Sequence, residues 1–124
     1  MTEAIKTYIE DHLTGTDAYW PVVIYGSSDD VPAAPYIVVR DYGNQAGLGT
    51  GYLIVVHEKA GNQKSCTKML STLTTMLNRT FIIDSYGNTQ QLFANVKETG
   101  IIINEGDGTI SKDRIFLTYN PNFL

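Results

Sequence analysis

Charge is scarce in this chain of 124 residues: Asp, Glu, Lys and Arg make up 18%, against about 25% in a typical soluble domain. What charge there is leans acidic, nine basic residues against thirteen acidic ones, for a net charge of −4. That balance excludes the basic footprint of a protein that grips nucleic acid. A surface so poor in charge suits a chain that covers part of itself in an oligomer. Cysteine is nearly absent. Cys66 stands alone, so an internal disulfide and a thiolate metal centre are excluded, and a reducing compartment is expected. It reads as a small helix residue, not a reactive thiol. Histidine is confined to His12 and His57. The apolar runs are strand-length, too short for a membrane helix. No basic segment leads an apolar run at the start, so no secretory leader is expected. Without one, the triplet Asn78-Arg79-Thr80 has no glycosylation role.

What is present suits one domain. Hydrophobic residues at 43% suffice for a modest core without disulfides or metals. Ile5, Tyr8, Ile9, His12 and Leu13 fall at helical spacing and predict a helix over Thr2 to Leu13, with Thr2 as its cap and Gly15 beyond its end. His12 is expected half-buried at the edge of that stripe. Trp20 to Tyr25 reads as a strand. The prolines of Pro32-Ala33-Ala34-Pro35 fix where the next strand begins. Met69, Leu70, Leu73, Met76 and Leu77 predict an amphipathic helix over Ser65 to Asn78, with Ser65 as its cap and the methionines as core filler. The last third reads as all-β: Phe81 to Ile83 as a short strand or helix exit, then Leu92 to Lys97. A hairpin of Gly100 to Ile103 with Arg114 to Tyr119 follows, around a long polar loop, Asn104 to Asp113. The pattern is α+β.

The richest segment is Pro32 to Glu58. It predicts two strands, Pro35 to Tyr42 and Tyr52 to Glu58, joined by the glycine loop Gly43 to Gly51, which is longer than the usual hairpin loop. Ile37 and Val39 point one way, Tyr36, Val38 and Tyr42 the other. Leu53 and Val55 alternate in the same way with Tyr52, Ile54 and Val56. A small domain has one core, so a sheet apolar on both faces calls for a second covering, and another copy of the chain supplies one. Tyr36, Tyr42 and Tyr52, together with the loop glycines Gly47 and Gly49, are the candidate subunit-contact residues, because tyrosines bury area while keeping a polar tip satisfied.

No motif announces a chemistry. Aligning Gly108 with the invariant glycine of a calcium-binding EF-hand loop puts Ile103 and Arg114 at the first and twelfth ligand positions, where oxygen ligands are required. The Gly43 to Gly51 loop leads into a strand, with no lysine before Lys59, so it is not a phosphate cradle. His57 and Glu58 face opposite sides of a strand. Ser65 or Ser71 could approach His57, but without the motif of a nucleophilic site. No enzyme activity, cofactor or metal is expected. A small ligand-binding or enzymatic domain using His57 is the alternative from another class.

The order of helix, strand, proline-rich connector, long hairpin, helix and β-rich end, with Pro32-Ala33-Ala34-Pro35-Tyr36-Ile37-Val38-Val39 and the Ser65 to Asn78 helix, resembles the tail terminator (tail completion) proteins of long-tailed bacteriophages. The resemblance implies a mixed, mainly antiparallel sheet with two helices packed on one face and long hairpin loops. It implies a homo-hexameric ring in the virion, assembled in the bacterial cytoplasm, that caps the head-proximal end of the tail tube, stops tube polymerisation and joins the tail to the head connector. The partners it implies are the chain itself, the tail tube protein and the connector or neck protein. DNA would pass through the lumen without specific binding, which the acidic balance suits, and no membrane is involved. A head-closure or neck protein of the same virion is the near alternative. No individual functional residue is carried over from the family.

Overall fold

The computed structural model describes residues 1–27, 31–44, 49–94, 102–104 and 108–119. Helix α1 spans Thr2–His12 and α2 spans Gln63–Leu77. The strands are β1 (Val22–Ile24), β2 (Tyr36–Asn44), β3 (Thr50–Lys59), β4 (Phe81–Ile83), β5 (Thr89–Ala94), β6 (Ile102–Asn104) and β7 (Thr109–Tyr119). They form one seven-stranded sheet in the order β1-β2-β3-β7-β5-β4, with β6 beside β7. β1 runs parallel to β2, and the remaining pairs are antiparallel. The sheet is therefore mixed and mainly antiparallel, in an α+β domain.

Both helices pack on one face. α1 lies against β1 and β2 and also touches β4, at the other end of the sheet, while α2 lies over β3, β7 and β5. The sheet thus curls around the helix layer. The periodicity explains the docking: Ile5, Ile9 and Leu13 recur at helical spacing on and just past α1, as do Cys66, Met69, Leu70, Leu73 and Leu77 on α2, and all are buried. They meet Ile37 and Val39 of β2, Tyr52, Ile54 and Val56 of β3, and Ile110 and Phe116 of β7. Each fully buried aliphatic side chain contributes about 1.5–3 kcal/mol, and this layer holds most of them.

Local details depart from the sequence reading. α1 has Met1 at its N-cap, with Thr2 as its first helical residue. α2 starts two residues early, at Gln63, with Asn62 at the N-cap position. Ser65, inside the first turn, donates its hydroxyl to Glu58 Oε2 at 2.9 Å, and the other oxygen of Glu58 accepts from the Lys59 N–H at 2.8 Å. Glu58 is buried. It brings a carboxylate to the positive end of α2, which itself has no acid in its first turn. β5 is described as far as Ala94; the rest of the expected Leu92 to Lys97 strand falls on residues 95–101, which lie outside the described residues. The largest departure is β7. The polar loop expected over Asn104 to Asp113 is strand from Thr109 onward, paired with β3 from Lys59↔Thr109 to Gly51↔Leu117. Ile110 explains why: it is 1% exposed in the core, and the alternation Thr109-Ile110-Ser111 around it is that of a strand with one buried face.

Candidate functional site

The strand registers sort the residues of the sheet by face, because directly paired residues share one. On the face away from the helices, Arg40, Leu53 and Ile115 form one row across β2, β3 and β7. Val38, Val55 and Asp113 form the next, and Tyr36, His57 and Ser111 the third. Val23 of β1 pairs with Val38. Leu117 and Phe93 pair further along the sheet. On the edge strand β4, Ile82 enters the core and leaves Phe81 and Ile83 exposed. Both helices are on the other side, so among the described residues this outer face is largely apolar with no helix over it; Leu53 on it is buried, and Val38, Val55, Ile115 and Leu117 are part-buried. The expectation of a sheet apolar on both faces holds.

One end of the outer face is a cavity of about 480 Å³, floored by β2, β3 and β7 and walled by Tyr25, Gly26, Ser27 and Val31 of the β1–β2 connector. Polar side chains, among them Arg40, His57 and Asp113, line it together with Val38, Leu53 and Val55. The Arg40 guanidinium lies 4.2 Å from the centre of the Tyr25 ring, a cation–π contact. The Tyr36 and His57 rings stack with centroids 4.6 Å apart and planes at 15°. Burial pushes the Asp113 carboxyl up.

His57 thus shares a face with Ser111 and Asp113, while neither Ser65 nor Ser71 lies on that face. Acyl transfer also needs amide N–H groups aimed at an oxyanion. β3 is flanked on both edges, by β2 and β7, and the 109–111 stretch of β7 lies between β3 and β6, so the ladders consume those amides. The cavity offers apolar area with groups that hold and orient. Among the described residues no cluster of three His, Cys, Asp or Glu could hold a metal, and no helix is long and apolar enough to cross a membrane.

The candidate contact residues are dispersed. Tyr36 is half-buried on the outer face, in the cavity. Tyr42 is 47% exposed, within the register shift between Asp41 and Gly43. Gly47 lies outside the described residues. Gly49 enters β3 with φ +125°, and a Cβ there would overlap the Thr118 carbonyl oxygen. Gly49→Ala is therefore expected to cost about 1–3 kcal/mol, read as a lowered urea midpoint; an unchanged midpoint would show that the β3 entrance yields freely. Tyr52 faces the helices and is buried in the core, so it has no surface to give a neighbour. Its hydroxyl is pushed up to about 12 by burial first, and then by the Asp41 and Asp84 carboxylates. The protonated phenol is favoured in the fold. Its contribution is fully present below pH 10 and is lost as pH rises from 10 towards 12. A tyrosinate absorbance titration should show a late-ionising phase that disappears in Tyr52→Phe; a titration unchanged by that substitution would contradict the placement.

His12, expected half-buried, is exposed. It stacks on Tyr8 with ring centroids 3.8 Å apart, and its Nδ1 lies 2.8 Å from the Tyr8 carbonyl oxygen. Arg40, Ser111 and Asp113 were not singled out in the sequence reading. The alternation of Thr109 to Asp113 is the signal for the last two, and it falls within the stretch Asn104 to Asp113 expected as loop.

No protein-family model matches the chain, and no curated protein does. A solved structure, of a protein whose name states no function, aligns over 96% of this chain and 96% of its own with a TM-score of 0.59 and 14% identity. At that identity the likeness establishes that the two chains share a fold.

Proposed function

We propose that this chain is a structural subunit of a bacteriophage tail, a tail terminator whose copies form a ring at the head-proximal end of the tail tube, end its polymerisation and join it to the head connector. The observation that carries the proposal is the outer sheet face. Val38, Val55, Ile115 and Leu117 are apolar, only part-buried and without a helix over them, on a chain with few charges. A part-exposed apolar sheet face suits an interaction site, and a repeated subunit can cover it with another copy of itself. The α+β layout supports the reading, and so does the acidic balance, which favours DNA passage over capture. Light scattering and native mass spectrometry on the full chain should give a closed ring of six. Addition to polymerising tail tubes should arrest their growth. A chain that stays monomeric at high concentration and with tubes present would overturn the proposal. A ring that binds connector but leaves tube growth untouched would favour a head-closure role.

A second reading, a small-ligand or catalytic site, rests on His57 at the cavity. It predicts that His57→Ala abolishes function while assembly survives. A variant that assembles and supports infection normally removes it.

A further inference from the structure

The basic residues of this acidic chain are unevenly placed. Four of the nine, Lys64, Lys68, Lys112 and Arg114, surround the solvent side of α2. Between α1 and α2 runs the largest groove described on the molecule, about 1010 Å³, lined along α2 by Lys64, Thr67, Lys68, Ser71 and Thr75, with His12 on the opposite wall. On the other flank of α2, Lys112 and Arg114 share a smaller pocket with the same Thr67, Ser71 and Thr75. Among the described residues no acidic side chain lines either space, and α2 itself contains none. Asp17 shares a third, smaller pocket with Lys64 and Lys68 but forms no ion pair with them; both lysines are exposed and unpaired among the described residues.

This placement does nothing for the stability of α2. Lysines in the first turns of a helix oppose its dipole, and an acid one turn away would have offset them. Threonine is also a modest helix former. Along this face its short side chains leave hydroxyl donors and acceptors on a surface that loses little side-chain entropy when covered.

We propose that the α2 face is a second docking surface, for an acidic polypeptide segment of a partner protein. The occupant follows from charge complementarity. Lys64 and Lys68, one helical turn apart, each offer an unpaired ammonium to a carboxylate, and the hydroxyls between the two flanks hydrogen-bond a polypeptide backbone. A nucleic acid is the poorer fit, because the whole chain at −4 repels an extended polyanion, whereas a short acidic segment meets only the local cations. The surface lies across the helix layer from the outer sheet face, so it stands independently of how copies of the chain meet.

The test uses the full ¹⁵N-labelled chain titrated with a short oligo-glutamate peptide, and separately with a DNA duplex. The oligo-glutamate should shift the amide signals of residues 63–75, with an affinity that falls as salt is added. Lys64→Glu/Lys68→Glu should weaken binding by about tenfold or more while the fold, read by circular dichroism, is retained. Lys6→Glu, on α1 and outside both pockets, should bind as the parent does. Absence of shifts, shifts centred elsewhere, or a double variant that binds like the parent would overturn the proposal. Tighter binding of DNA at the same residues would overturn it in favour of a nucleic-acid surface.

Discussion

Phe116→Ala is expected to destabilise the protein by about 3–5 kcal/mol, a large share of the roughly 5–15 kcal/mol that holds a domain of this kind together. Phe116 is fully buried. It pairs with Tyr52 on one side and Ala94 on the other, so it lies where the β1-β2-β3 half of the sheet joins the β5-β4 half. Truncation removes the ring's transfer energy and leaves a cavity that two flanking strands and the helix layer cannot collapse to fill. Urea denaturation should show a lowered midpoint at unchanged slope. Phe116→Leu, which keeps most of the volume, should lose far less. A loss under about 1 kcal/mol for the alanine variant would mean that the ring is not packed as described.

Val38→Glu should have the opposite signature, a folded chain that no longer assembles. Val38 is apolar and comparable in kind to the core valines, but it stands on the outer face between Val23 and Val55. In a lone subunit a carboxylate there reaches water. In the proposed ring the same carboxylate would be desolvated against apolar surface, at a cost of several kcal/mol, and each 1.4 kcal/mol is tenfold in affinity. Arg40, two residues along the same strand, already lies over the Tyr25 ring, so a new ion pair offsets only part of that cost. Light scattering should report monomers, while circular dichroism and thermal unfolding stay close to the parent. Val38→Ile should still assemble. If Val38→Glu assembles normally, the outer face is not the contact between copies; if it fails to fold, the face is core and not surface.

The contrast between these two residues marks how far sequence reaches. Hydrophobic alternation placed Ile37 and Val39 opposite Val38, and Ile54 and Val56 opposite Val55, and the structure keeps both divisions. The stripes of both helices and the two-sided apolar character of the long hairpin are legible for the same reason: they depend on side-chain periodicity along a few residues. The start of α2 was misplaced because Ser65 looks like a cap in isolation, whereas in the fold its hydroxyl is taken by Glu58, seven residues earlier. The Thr109 to Asp113 stretch is polar enough to pass for loop. It becomes strand because β3 supplies a full ladder partner and the core accepts Ile110.

The sites divide along the same line. Composition and pattern by themselves determined that this is an acidic, charge-poor α+β chain without an internal disulfide, carrying more apolar sheet surface than two helices can cover. Only the tertiary structure decided which face the helices take. That choice sends Tyr52 into the core, leaves Tyr36 and Val38 outside, brings Arg40, His57 and Asp113 around one cavity, and gathers four cations about α2. The physical reason is range. Periodicity is a property of neighbouring residues, but a face, a cavity or a charged patch is made by strands and helices far apart in the chain, and its composition exists only once their registers are set.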